Sequence, residues 1–223
     1  VSKLVSLGVT DVFVQVYREG RTWFQSSSNG YLPGSFDPLA TFLQEIAPHS
    51  IKVHAWINVF NLHNNSDANI LKQFGSEALL VDSQGVSVSE YGLDGESPSK
   101  QAQLSRLDTP RFWLDPSNPQ VLSFLDSLVQ DLLIKYPTLA GLHLDFFRYP
   151  YILPIKPSSA FDLGLDFGFS EGARLNFEKV HGPTFERDSH GTWQIKSQRL
   201  AWTWDEQKRA NLDKFITRFR SSL

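Results

Sequence analysis

The sequence predicts an α/β fold of the (β/α)8, TIM-barrel type, of which residues 1–223 form a single partial domain. Three observations lead there. Strand-like and helical segments alternate along the chain. Each strand carries polar side chains mainly in one of its two alternating phases. Two long excursions, 61–112 and 151–202, leave from the C-terminal ends of strands. Strand–helix–strand order favours parallel pairing with right-handed crossovers. Folds of this class build their sites beyond the C-terminal ends of the strands.

The first strand is Asp11–Arg18, where Val12, Val14 and Val16 alternate with Phe13, Gln15 and Tyr17. In the second, Ile51–Phe60, Ile51, Val53, Ala55, Ile57 and Val59 alternate with Lys52, His54, Trp56, Asn58 and Phe60. The third is Gly141–Arg148, where Leu142, Leu144 and Phe146 alternate with His143, Asp145 and Phe147. Helices fill the gaps. Residues 1–7 read as a helix end stopped by Gly8. Asp37 and Pro38 read as N-cap and first helical residue before Leu39, Phe42, Leu43 and Ile46. Asn118-Pro119 opens a longer helix that buries Val121, Leu125, Leu128, Val129, Leu132 and Leu133 and ends at Pro137. Thr203 and Glu206 fit a capping box ahead of Leu212, Phe215, Ile216 and Phe219. Within the first excursion, 67–74 suggests a short helix, and ALLVD-SQG-VSVSE suggests a hairpin. The second excursion reads as irregular, and loops of this length are functional or disordered.

Composition narrows the partners. A chain that is 41% hydrophobic and 20% charged is ordinary for a globular domain. A net charge of −3 without a basic block argues against nucleic acid as the partner. The absence of cysteine excludes disulfides, thiolate-bound metals and thiol nucleophiles. Methionine is also absent, even at position 1, so these residues are expected not to be the whole gene product. Residues 1–223 contain no apolar run long enough to span a bilayer and no signal-peptide pattern; any such segment is expected upstream of them. Aromatic residues make up 13%, a weak lean towards carbohydrate, whose sites use exposed aromatic faces. No G-x-S-x-G, P-loop or G-x-G-x-x-G motif occurs. No cofactor is expected, and the oligomeric state is left open.

The polar phase holds Gln15 and Tyr17, then His54, Trp56 and Asn58, then His143 and Asp145. Strands buried on both faces read as nearly continuous apolar runs. Polar residues confined to one phase suit a barrel interior whose upper layer meets substrate. Asp145 is the leading catalytic candidate, because a mid-strand carboxylate is costly to bury unpaired; the alternative is a pairing with Arg148 or a neighbouring strand. Arg18, Arg148 and Tyr149 stand at or just past strand ends, placed to hold substrate or orient the acid; for the two arginines the alternative is a surface or loop salt bridge. His54 and His143 are satisfied core histidines, ligands of sugar hydroxyls, or with Asp145 a metal site that lacks the H-x-H and H-E-x-x-H patterns. Trp56 is either packing or a platform for a sugar ring. Asn58, near the end of its strand, is placed to bind sugar hydroxyls, with capping of the following loop as the alternative. Asp115, in WLDPSNP, reads as a turn cap.

The segments GVTDVFVQVYREGRTWFQSS, DPLATFLQEI, IKVHAWINVF, WLDPSNPQV and GLHLDFFRYP together resemble the glycosyl-hydrolase-like 10 family. WTWDEQKRANLDKFI is similar to a helix of that family through Trp204, Arg209 and Asn211. The family comprises bacterial envelope barrels and includes a glycosidase of peptide-free peptidoglycan strands. The resemblance implies that this chain covers about strands 2–4 of a barrel, with Asp145 at the end of the fourth. It also implies a glycoside hydrolase acting on a hexosamine-rich polysaccharide in the cell envelope or outside the cell. One departure is Phe146, where many relatives carry a second acid. Glu171 and Asp115 are the other acids near cleft loops. Two alternatives are a non-catalytic glycan-binding relative and a metal-dependent hydrolase using His54, His143 and Asp145.

Overall fold

A computed structural model describes residues 1–27, 36–90, 112–150 and 167–220. A short helix α1 (Ser2–Ser6) leads through Gly8 into β1 (Asp11–Arg18). Glu19 and Gly20 then turn the chain, both with positive φ (55° and 70°), into β2 (Arg21–Thr22). Two such residues define the hairpin turn whose twist matches its strands. β2 pairs antiparallel with β1, a hairpin absent from the purely parallel expectation. Next come α2 (Pro38–Ile46), β3 (Lys52–Asn58), α3 (Asn69–Phe74), α4 (Pro119–Lys135) and β4 (Gly141–Asp145). The sheet order is β2-β1-β3-β4, and β1, β3 and β4 are parallel neighbours in chain order.

α2 and α4 start where their caps dictate. Asp37 accepts a hydrogen bond from the Ala40 N–H at 2.9 Å, and Asn118 accepts from the Gln120 N–H at 2.8 Å. These bonds satisfy donors that the first helical turn leaves unpaired. α4 buries Val121, Phe124, Leu125, Leu128, Val129 and Leu132, an i, i+3/i+4 stripe. Its stripe meets Ala55 and Ile57 of β3, Val16 of β1 and Leu39 of α2 in the main core. The helices therefore cover the aliphatic face of the sheet. On the other face Phe13 and His143 are exposed and Asp145 is partly so.

The proposed phase of β1 holds only as far as Gln15. Gln15 pairs with Trp56, but Tyr17 pairs with Ile57, so Val16 is an extra residue in the ladder. A one-residue bulge moves every following side chain to the other face. Tyr17 therefore joins the core, fully buried, instead of lining the polar face. Its hydroxyl has no hydrogen-bond partner among the described residues, and burial pushes its pKa above the ordinary tyrosine value.

Gly20 has a packing reason as well as a conformational one. A Cβ there would lie 2.5 Å from the Ala68 Cβ, at a φ that side chains rarely adopt. Gly20→Ala is expected to cost about 1–3 kcal/mol, read as a lower urea midpoint with an unchanged slope.

In the first excursion, the Asp82 N–H donates to Val86 and Val81 bridges Ser87, a very short hairpin where one is expected. The second excursion is more regular than its sequence suggests. It holds α5 (Glu171–His181), a hairpin of β5 (Phe185–Arg187) and β6 (Trp193–Ile195), and the start of α6 (Gln198–Arg220). α6 begins ahead of Thr203. The Ser197 hydroxyl receives the Leu200 N–H, while the Thr203 hydroxyl donates back to the Arg199 carbonyl. Ser197 is the better cap because it precedes the first turn, and a mid-helix Thr bonds backwards along the helix.

Glu178 of α5 ties this unit together by accepting the N–H groups of Thr184 and Phe185 at 2.8 and 3.0 Å. The Phe185 N–H, then that of Thr184, holds its carboxyl below the ordinary value of 4.5. A depressed carboxyl stabilises the fold above the unfolded value and loses that contribution as pH falls through the folded one. The wild-type unfolding midpoint is thus expected to drop below about pH 4.5 more steeply than that of Glu178→Gln, by parallel thermal melts.

Candidate functional site

The parallel register brings Gln15, Trp56, Asn58 and Asp145 together at the C-terminal end of the sheet. Asn58 lies opposite Asp145, and Trp56 opposite both Gln15 and His143. Gln15 Nε2 donates to Asn58 Oδ1 at 3.3 Å, across from β1 to β3. Trp56 Nε1 donates to Asp145 Oδ2 at 3.1 Å, from β3 to β4. The N–H of Phe146 donates to Asp145 Oδ1 at 2.8 Å. Each carboxylate oxygen thus has its own donor, and the plane of the group is fixed. The pairing with Arg148 considered for Asp145 is not what holds it.

Backbone geometry supports this placement. The Asp145 carbonyl accepts the Val59 N–H at 2.9 Å, extending the ladder past Asn58. Phe146 then adopts φ 50°, a left-handed conformation uncommon for a bulky residue. Its ring packs edge-on to Trp113 at 5.7 Å, and the Arg148 guanidinium covers both rings, 5.2 Å from Trp113 and 5.5 Å from Phe146. Arg148 also donates to the Tyr149 carbonyl at 3.2 Å. Trp113, Leu80, Val88 and Phe167 form a small core against which Phe146 and Tyr149 pack. This cluster braces the turn that follows Asp145.

The remaining candidates are dispersed. His54 pairs with Gly141 in the lower half of the sheet, and its Nε2 meets Asp11 Oδ1 at 2.9 Å. It stacks on Phe13 at 4.8 Å, a satisfied histidine away from Asp145. His143 is exposed one layer below Asp145, edge-on to Trp56. His54, His143 and Asp145 do not converge as a ligand set. Among the described residues no group of three or more His, Cys, Asp or Glu is disposed to hold a metal ion. Arg18 pairs with Glu19 at 3.1 Å on the hairpin turn.

Asp115 is fully buried, and its Oδ1 accepts the Ser117 N–H and hydroxyl, as a turn cap does. Glu171 instead opens on a cleft of about 640 Å³ that it shares with Ser76, Glu77, Ser117, Asn118 and Asn176. Asp145 does not line that cleft. The residues missed by sequence reasoning are Trp113 and Phe146. Their signal was weak, because the left-handed turn and its brace involve segments far apart in the chain.

Among the described residues the chain is thus an α/β protein whose candidate acid ends the last of three parallel strands. The glycosyl hydrolase-like 10 family model matches residues 1–159, and the chain belongs to that family. Among curated proteins it is similar to the glycosyl hydrolase DigH of Escherichia coli K12, 28% identical over 156 residues, which are 66% of this chain and 32% of that protein. The DigH proteins of Escherichia coli O157:H7 and Shigella flexneri match at the same 28% identity and the same coverage. The match spans about a third of the length of these curated relatives. No helix among the described residues is long and apolar enough to cross a membrane.

Proposed function

We propose that this protein is a glycoside hydrolase of a bacterial polysaccharide, hexosamine-rich such as peptidoglycan glycan strands, with Asp145 as a catalytic carboxylate. The observation that carries the reading is the Asp145 site itself. A partly exposed carboxylate ends a parallel strand with both oxygens held by separate donors. The family of the chain and the chain-order neighbours β1, β3 and β4 support a barrel as the architecture. In that barrel the uncovered face would be the interior, with Asp145 at its mouth.

Glycosidases of the common kind use two carboxyl groups, one as acid and one as nucleophile or base. Asp145 supplies one of them. His143, exposed on the same face, is assigned to meet sugar hydroxyls, and Asn58, Arg148, Arg18 and Tyr149 to bind substrate or tune Asp145. The protein would act in the cell envelope or outside the cell, where such polysaccharides are found. The test is to incubate it with peptide-free peptidoglycan strands and a panel of other polysaccharides and to count new reducing ends. Their absence on every substrate would overturn the reading.

One observation favours a second reading, a glycan-binding protein without catalysis. Asp145 contacts no second carboxylate among the described residues. Saturable glycan binding without new reducing ends is the outcome that would select it.

A further inference from the structure

Trp56 and Asp145 belong to different strands and meet only because of the β3–β4 register. Trp56 sits opposite His143, one layer below Asp145 on the same face, and its indole N–H reaches up to Asp145 Oδ2 at 3.1 Å. The ring is half-buried and edge-on to His143, with centroids 5.6 Å apart and planes at 86°. His143 is edge-on to Phe13 at 5.4 Å, Phe13 stacks on His54 at 4.8 Å, and His54 ends on Asp11. This run of ring contacts passes down the open face and meets the indole through His143, beside it in the sheet.

We infer that Trp56 is the positioning residue of the Asp145 carboxylate and not a platform for a sugar ring. A platform offers a free ring face to the ligand, with its N–H available to solvent or sugar. The Trp56 N–H is already committed to Asp145, and the ring lies among the aromatic side chains of the sheet. The second donor, the Phe146 N–H, comes from the left-handed turn braced by Trp113. One donor alone would leave the carboxyl group free to rotate about its Cβ–Cγ bond. Two donors from two strands fix both oxygens, which is the preorganisation a reacting carboxylate needs. The kinetic consequence rests on the glycosidase reading; the hydrogen bond does not.

The two are separated by measuring both. In protein labelled with nitrogen-15, the indole N–H of Trp56 is assigned among the six tryptophans by its loss in Trp56→Phe. Should that variant fail to fold, contacts to the His143 ring give the assignment. Exchange of this proton with solvent is expected to accelerate about tenfold or more in Asp145→Ala, while the buried Trp204 indole stays unchanged. Trp56→Phe is expected to lower kcat about tenfold with KM within about twofold. Indifference of the Trp56 proton to Asp145→Ala would overturn the inference, whether or not any glycan is cleaved. A raised KM with unchanged kcat in Trp56→Phe would also overturn it, by making Trp56 a binding surface. If the parent cleaves nothing, the glycosidase reading falls and the exchange result alone decides the role of Trp56.

Discussion

Asp145→Asn is expected to reduce glycan cleavage by about a thousandfold or more, equivalent to about 4 kcal/mol of transition-state stabilisation. An amide can neither take up a proton at neutral pH nor bear the negative charge that a developing oxocarbenium ion needs. The substitution is nearly isosteric, but it is not silent in the fold. Asp145 accepts one N–H at each oxygen, so the new NH₂ group must face either Trp56 or Phe146 donor to donor. That conflict costs about 1–3 kcal/mol, so cleavage is to be read beside a thermal melt. Asp145→Glu makes a second test, because it keeps the charge and moves it by one methylene; a well-folded variant with at least a tenfold loss would show that placement matters. Undiminished cleavage in a folded Asp145→Asn would remove Asp145 from the chemistry.

Trp204→Ala is expected to destabilise the protein by about 3–5 kcal/mol. Trp204 is almost fully buried in α6 and is the hub of a separate aromatic cluster. Its ring lies 5.1 Å from Phe177 of α5, 5.1 Å from Phe185 of β5 and 5.8 Å from Phe169. Removing it leaves a cavity that three other large rings cannot fill without leaving their rotamers. Trp204→Phe is expected to cost much less, because the buried indole N–H has no hydrogen-bond partner among the described residues to lose. The check is urea unfolding of both variants. Equal midpoints for Trp204→Ala and the parent would show that the helix and hairpin of residues 171–195 do not need this hub. Because the cluster is built apart from Asp145, its loss should appear in stability before it appears in any cleavage.

Much of this fold was legible in the sequence because the information is local. The alternation in DVFVQVYR and GLHLD gives period-two strands whatever surrounds them. The caps Asp37 and Asn118 act within three residues of themselves, and both helices begin where those residues require. Asp145 stood out for an equally local reason, a mid-strand carboxylate that is costly to bury unpaired. The family resemblance, carried by the strand segments, agrees with the family match.

What the sequence could not decide depended on partners distant in the chain. The phase of Tyr17 turned on a bulge, and a bulge exists only relative to the paired strand. The start of α6 turned on Ser197, a cap two residues after the β-hairpin, which an irregular reading of 151–202 concealed. Trp56 could be packing, platform or hydrogen-bond donor until the register set it one layer below Asp145 on the next strand. Residue type and spacing thus fixed which elements form and which acid to suspect. Register, bulge and cross-chain packing, which couple residues 40 to 90 positions apart, decided which side chains share a face and what holds that acid in place.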